Sequence, residues 1–410
     1  MAVRLPAPLR PLWPLAKRVY TRGTRAVSPL TGQLSRLRGG YLPRRSVGQA
    51  DESVARNGGQ IWVARPEEHL DRDVPAGEPA RHPAFVAKAN DTIPRVAVGE
   101  LPGGRVLGPQ HAVIDGGGEL VEEFSPYFGT AGWREHPIFW HPFAAEPQEV
   151  AGTLGVLAAR GDQSNYHFLL DVLPRLALME TPGVPAPDRW YVPRQRVFQR
   201  EMLELAGFPA DAEVIDSDLV THVRAEKLVV PGLPDAHLRT PPWTVDFVRE
   251  RLRPTDLERV PGRRVYVTRG RERHNRIVTN EDQVVEMLAG RDFTVIDPGE
   301  LPVIEQIRTF AEAEWIVAPH GAALANLAFA SPGASVIELF APDYVQLCYW
   351  KLAYCVPGLG YRYLLGTGRE PRSDRMSGVM SDITVDLAAL ERALDALPVE
   401  LPPPAARAHR

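Results

Sequence analysis

The second half of the chain alternates short apolar, β-branched runs with helical patterns, and this alternation limits the fold more than any other feature. Arg264-Val265-Tyr266-Val267-Thr268, Phe293-Thr294-Val295-Ile296, Trp315-Ile316-Val317-Ala318 and Ser335-Val336-Ile337-Glu338-Leu339 read as strands. Helical patterns at 280–289, at 303–311 and after Gly321 fill the intervals. Repeated units of this kind predict an α/β fold with a parallel, doubly wound sheet, whose ligands bind beyond the carboxyl ends of the strands. His320 and Glu338 both fall at or near such ends.

The first half alternates less cleanly. Ile61-Trp62-Val63-Ala64 reads as a strand, and Ala112–Asp115 and Glu119–Glu122 read as a hairpin turned through Gly116-Gly117-Gly118. A helical pattern covers 165–179, followed by a strand at Trp190-Tyr191-Val192-Pro193, a helix at 198–206 and a strand at Lys227-Leu228-Val229-Val230. The aromatic and proline-rich stretch 128–150 resists assignment, and Pro231, Pro234, Pro241 and Pro242 mark a border. A chain of 410 residues is long enough for two domains. The divisions read from the sequence are a flexible, basic, Pro-rich segment 1–59, a domain 60–240, a second domain 241–398 closed by a C-terminal helix, and a loose tail 399–410.

A net charge of −4 gives no nucleic-acid signature, and 44% apolar with 24% charged residues is ordinary for a soluble globular protein. Lysine occurs only at Lys17, Lys88, Lys227 and Lys351, so nearly all the basic residues are arginine, which suits bidentate binding of phosphate. The two cysteines, Cys348 and Cys355, read as buried reduced thiols in a helix, and no Cys/His cluster has zinc spacing. No apolar run approaches the roughly 18 residues that a membrane span requires. The leader sets Leu5, Leu9, Leu12, Trp13 and Leu15 among Arg4, Arg10, Lys17 and Arg18, which is compatible with peripheral contact at an anionic membrane. Its prolines argue instead for a disordered leader, and the cytoplasm is the default location.

Three segments carry candidate chemistry. In Pro319-His320-Gly321-Ala322-Ala323-Leu324-Ala325-Asn326 a strand delivers His-Gly-Ala into a helix start, where unpaired N–H groups favour an anion. The same turn also reads as a plain strand–helix link. Tyr266-Val267-Thr268-Arg269 ends a strand in a cluster of cations, with Arg271, Arg273, His274 and Arg276 following. Arg269 facing the His320 edge would suit a diphosphate, although the cluster also reads as a solvated loop. Asn280 is a plausible N-cap for the next helix, with Glu281 in its first turn. In Asn165-Tyr166-His167-Phe168-Leu169-Leu170-Asp171-Val172-Leu173-Pro174-Arg175, His167, Asp171 and Arg175 share one helical face. They form either a proton relay, with Arg175 holding Asp171 ionised, or a surface salt-bridge ladder. Pro174 should kink that helix or restart it. No dinucleotide, phosphate-loop, nucleophile-elbow or zinc-protease motif is present.

Taken in order, these segments resemble the catalytic-domain pattern of glycosyltransferase family 61. The resemblance rests on 165–175, Tyr266-Val267-Thr268-Arg269, Arg276-Ile277 with Asn280-Glu281, Glu305-Gln306, Pro319-His320-Gly321-Ala322, Asn326, and Pro332-Gly333 with Val336-Ile337-Glu338-Leu339-Phe340. It extends over about residues 160–345, roughly half the chain. Two positions depart from the pattern. Ala323 stands where a second glycine is common, and Asn165 lies one residue nearer His167.

The resemblance implies a GT-B architecture of two facing Rossmann-like domains. It also implies inverting transfer from a nucleotide sugar, UDP-linked by expectation, to a glycan or polysaccharide acceptor, without an obligatory metal or cofactor. Capsule-type polysaccharide synthesis in bacteria is the expected setting. The site then expected comprises His167 or Asp171 as base, with Arg175, Arg269, Arg276, His320, Gly321, Ala322, Asn326 and Glu338 binding substrate, Glu338 through ribose hydroxyls. The rival expectation is a transferase-like scaffold without turnover.

Overall fold

The computed structural model describes residues 41–128, 132–141, 144–236, 238–270, 276–368 and 381–398, plus a few isolated positions among 19–27. The membrane-compatible part of the leader, Arg271, Arg273, His274 and the tail 399–410 lie outside the described residues. The chain divides into two units. The first comprises Met1–Glu68 with Pro94–His237, and the second comprises His69–Ile93 with Leu238–Arg410.

The first unit is built on a ten-stranded sheet of mixed direction. Its parallel part runs in the order His222–Pro231, Gln148–Val156, Arg189–Val192, Val214–Asp216. Antiparallel strands extend it on the other side. Val96–Pro102 and Arg105–Leu107 pair with the two halves of His222–Pro231, and Gln60–Arg65 pairs with Val96–Pro102. The parallel, doubly wound sheet that the resemblance implies for each domain is therefore a mixed sheet here. The predicted hairpin is present, with Ile114 opposite Leu120 and the chain turned at Gly118, whose φ is 85°. Leu154, Val156, Tyr191, Val223, Leu228 and Val230 pack as one core.

Residues 46–57, expected within a flexible segment reaching residue 59, are built into this unit. Ser46–Val47 pairs in parallel with Leu120–Val121, and Ala50–Asn57 is a helix. Burial of Val47 and Ala50, and a 2.8 Å bond from Ser53 Oγ to Asp115, hold this stretch in place.

The second unit carries a six-stranded, all-parallel sheet in the order Phe293–Ile296, Arg264–Val267, Trp315–Pro319, Ser335–Phe340, Gly360–Leu365, Ala76–Glu78. Helices Glu281–Ala289, Val303–Glu312, Cys348–Cys355 and Leu387–Asp395 accompany it. The segment 69–93, expected within 60–240, belongs to this unit. Its Phe85 is fully buried, stacked on Tyr363 at 4.5 Å and set edge-on to Trp350 at 5.3 Å. Burying one such ring contributes roughly 1.5–3 kcal/mol, enough to decide which sheet the segment joins. Cys348 and Cys355 are buried free thiols, as expected. Among the described residues no helix is long and apolar enough to cross a membrane.

Candidate functional site

In the first unit the parallel strand Gln148–Val156 ends in Leu157-Ala158-Ala159-Arg160-Gly161, and the loop then enters the His167 helix. That helix is not one continuous α-helix. Asn165–His167 begins as α, Phe168–Val172 is a π turn with Leu173 N–H bonded to the Phe168 carbonyl, and Arg175–Met179 restarts as α behind Pro174. Pro174 donates no N–H, so the break falls where the sequence placed it.

His167 Nδ1 lies 2.8 Å from Asp171 Oδ2. The Asp171 side chain is 0% exposed and that of His167 is 15% exposed, so only the histidine can reach a ligand. Burial opposes ionisation of Asp171. The Arg160 guanidinium at 3.4 Å, the His167 bond and the Arg175 charge outweigh it and hold the carboxyl below its ordinary range. Asp235 N–H also donates to Asp171 Oδ1 at 3.2 Å. An ionised Asp171 requires the proton on His167 Nδ1, which leaves Nε2 as a lone-pair base. Arg160 was not among the expected site residues. It lies in the loop after the strand Gln148–Val156 and has no cluster of cations behind it like the one that marks Arg269.

Arg175 is corrected from a substrate ligand to an internal strut. It is 1% exposed and donates to the carbonyls of Leu157, Ala158, Pro231 and Gly232, tying the ends of two parallel strands together. Asp171, the other expected base, is the fully buried partner of His167.

In the second unit the strand Trp315–Pro319 delivers His320. His320 is 6% exposed, with its ring stacked on Phe340 and flanked by Tyr344 and Tyr349. Its Nδ1 lies 2.5 Å from Glu338 Oε1, and the Tyr361 hydroxyl donates to Glu338 Oε2. Both Glu338 oxygens are thus engaged inside the protein and the residue is 0% exposed, which corrects its expected role as a ribose ligand. Burial, with Arg276 and Arg269 nearby, drives His320 well below the ordinary histidine range. Burial drives Glu338 well above the carboxylate range, against the Tyr361 bond. Both groups are therefore pushed toward their neutral forms.

Arg269 follows the strand Arg264–Val267 and donates from Nη1 to the His320 carbonyl at 2.8 Å. A Cβ at Gly321 would overlap the guanidinium, so any other residue there would displace the head of Arg269. Arg276 adopts φ 58° and stands over the Tyr344 ring at 5.2 Å. Its buried Nε has no hydrogen-bond partner among the described residues. The helix expected after Gly321 is a 3-10 helix, Ala322–Phe329, and its first internal bond runs from Leu324 N–H to the Gly321 carbonyl. Ala322 and Ala323 are half-buried and their amides precede that bond, at the start of a helix of tighter geometry. Asn326 is fully buried and donates to Gln306 at 3.0 Å and to the Ala323 carbonyl at 3.1 Å. It braces the turn rather than binding substrate. Asn280 occupies the N-cap position, yet its amide pairs in both directions with the Val385 backbone instead of capping. Glu281 accepts from Tyr266 and Thr268, fixing the strand end that carries Arg269. Among the described residues no group of three or more His, Cys, Asp or Glu side chains is placed to hold a metal ion.

Both units are α/β, with parallel strands whose carboxyl ends carry the basic residues Arg160 and Arg269. Residues 166–337 match the family model described as Glycosyltransferase 61, and this match assigns that part of the chain to a family of glycosyltransferases. The matched span contains His167, Asp171, Arg269, Arg276 and His320, and stops one residue before Glu338. No curated protein matches the chain.

Proposed function

We propose that this protein transfers a sugar from a nucleotide-sugar donor, UDP-linked by preference, to a hydroxyl of a glycan or polysaccharide acceptor, with inversion and in a GT-B organisation. The observation that carries the proposal is the Arg269–His320–Gly321 arrangement. A strand-terminal guanidinium lies against a His-Gly turn whose next two amides precede the first helical bond.

The donor diphosphate would meet Arg269, Arg276, the Ala322 and Ala323 amides and His320 Nε2. These groups supply the positive charge that other transferases take from a metal ion. His167 Nε2, its tautomer fixed by Asp171, would remove the acceptor proton. Attack by that hydroxyl opposite the leaving diphosphate inverts the anomeric centre. A cytoplasmic location, with the arginine-rich leader against the inner face of a membrane, and a role in surface polysaccharide synthesis complete the reading.

The test is calorimetric titration with nucleotide sugars, followed by turnover of the best donor against oligosaccharide acceptors. Donor binding with product formation is the expected result. Donor binding without turnover on any acceptor would leave a scaffold, and no binding would sink the donor site.

A further inference from the structure

We propose that Glu338 and His320 form a proton-delivering dyad for the departing diphosphate, since a fully buried carboxyl bonded at 2.5 Å to His320 Nδ1 has its other oxygen closed by Tyr361. This rests on the transferase reading above and adds an acid to it.

The surroundings of the histidine select this role. Arg269 and Arg276 face it from the segments after the strand Arg264–Val267, Tyr349 from the helix Cys348–Cys355, Phe340 from the end of the strand Ser335–Phe340, Tyr344 from just beyond it, and Tyr361 through Glu338. Glu338 has no arginine or lysine ion-pair partner among the described residues, unlike Asp171 with its Arg160. The two arginines stand beside the imidazole rather than the carboxyl and disfavour a second proton on it until an anion arrives. Glu338 therefore holds the proton, and its hydroxyl points to Nδ1, which leaves the other imidazole proton on Nε2.

The step balances as follows. The bond from the anomeric carbon to the β-phosphate oxygen breaks, and its electron pair stays on that oxygen. The oxygen takes the Nε2 proton, Nδ1 takes the Glu338 proton, and the new carboxylate keeps the Tyr361 hydrogen bond. The anomeric carbon bonds the incoming hydroxyl oxygen, whose proton goes to the base. Solvent returns one proton to Glu338 and removes one from the base after product leaves.

The experiment uses the full chain and uridine, guanosine, cytidine, adenosine and thymidine diphosphates by calorimetry. The corresponding nucleotide sugars are then hydrolysed with water as acceptor. The Glu338→Gln variant is expected to bind the preferred diphosphate within about threefold of the parent. Its kcat should fall by roughly 10²–10³-fold, with loss of the alkaline limb of the kcat profile. Tyr361→Phe removes a donor that favours the carboxylate, so that limb should move to higher pH while kcat on the plateau is kept. Unchanged kcat in Glu338→Gln with binding intact overturns the dyad alone, and so does a matched loss of kcat and affinity, which marks a structural role. Failure of every diphosphate to bind the parent protein overturns the donor site itself.

Discussion

Each unit buries a carboxyl against a histidine Nδ1 at the carboxyl edge of its parallel strands, and each places an Arg-Gly pair beside it with the glycine in the left-handed region. Gly161 has φ 77° and Gly270 has φ 65°. The two pairs diverge through where the arginine points. Arg160 reaches the Asp171 carboxylate at 3.4 Å, so the acid stays ionised and the histidine keeps a free lone pair. Arg269 reaches the His320 backbone carbonyl at 2.8 Å, so its charge bears on the imidazole, and Glu338 has no arginine or lysine ion-pair partner among the described residues. One geometry, a histidine on a buried carboxyl, would thus serve as a base in one unit and, on the dyad proposed above, as a proton donor in the other.

The sharpest way to break that contrast is His167→Ala. Turnover should fall by about 10²–10⁴-fold while diphosphate affinity holds, read by steady-state rates beside calorimetry. Asp171→Asn should also cut turnover, because the amide can present its N–H to Nδ1 and move the ring proton to Nε2. Loss of diphosphate affinity in either variant would erase the division of labour between the units.

How much of this was legible depends on what each residue touches. The second unit's strands could be read because runs such as Trp315-Ile316-Val317 are buried on both faces and are apolar throughout. Strands Ala76–Glu78 and Gly360–Leu365 could not, since their half-exposed residues carry no such run and their pairing spans nearly 300 positions of sequence. His167, His320 and Arg269 stood out through local strand-end grammar. Arg175, Asn326 and Glu338 stood out equally, yet they serve the interior. A polar residue that braces a site and one that contacts a ligand have the same spacing, and only burial and hydrogen-bond partners separate them. Arg160 was overlooked because the strand preceding it, Gln148–Val156, contains two glycines and opens with polar residues.

Arg175 and Arg269 offer the next test, since the first braces buried carbonyls and the second is the proposed diphosphate ligand. Arg175→Met should cost about 2–4 kcal/mol in denaturant unfolding, because several buried carbonyls lose their donor at roughly 1–3 kcal/mol each. Arg269→Ala should leave stability nearly unchanged and weaken nucleoside diphosphate binding about 10- to 100-fold, the loss of a charge-assisted contact worth ~1.5–3 kcal/mol. Interchanged phenotypes would reverse the assignment.

The smallest effect concerns protons counted on unfolding. The His320–Glu338 pair holds one proton in the fold. An unfolded chain holds two below the ordinary carboxyl value of 4.5, one between 4.5 and 6.5, and none above the histidine value of 6.5. Stability from this pair therefore falls as pH drops below 4.5, is flat from 4.5 to 6.5, and falls again as pH rises past 6.5 toward the raised Glu338 value. The Asp171 carboxyl is ionised in the fold, so its contribution is complete above 3.8 and is lost only as pH falls below that value, with no alkaline arm. Denaturant unfolding should thus show an alkaline slope on the order of 1 kcal/mol per pH unit from pH 6.5 up to the raised Glu338 value. Glu338→Gln abolishes that slope and Asp171→Asn retains it. An alkaline slope that survives Glu338→Gln would mean the buried carboxyl is already ionised, and the two histidine–carboxyl pairs would then be alike.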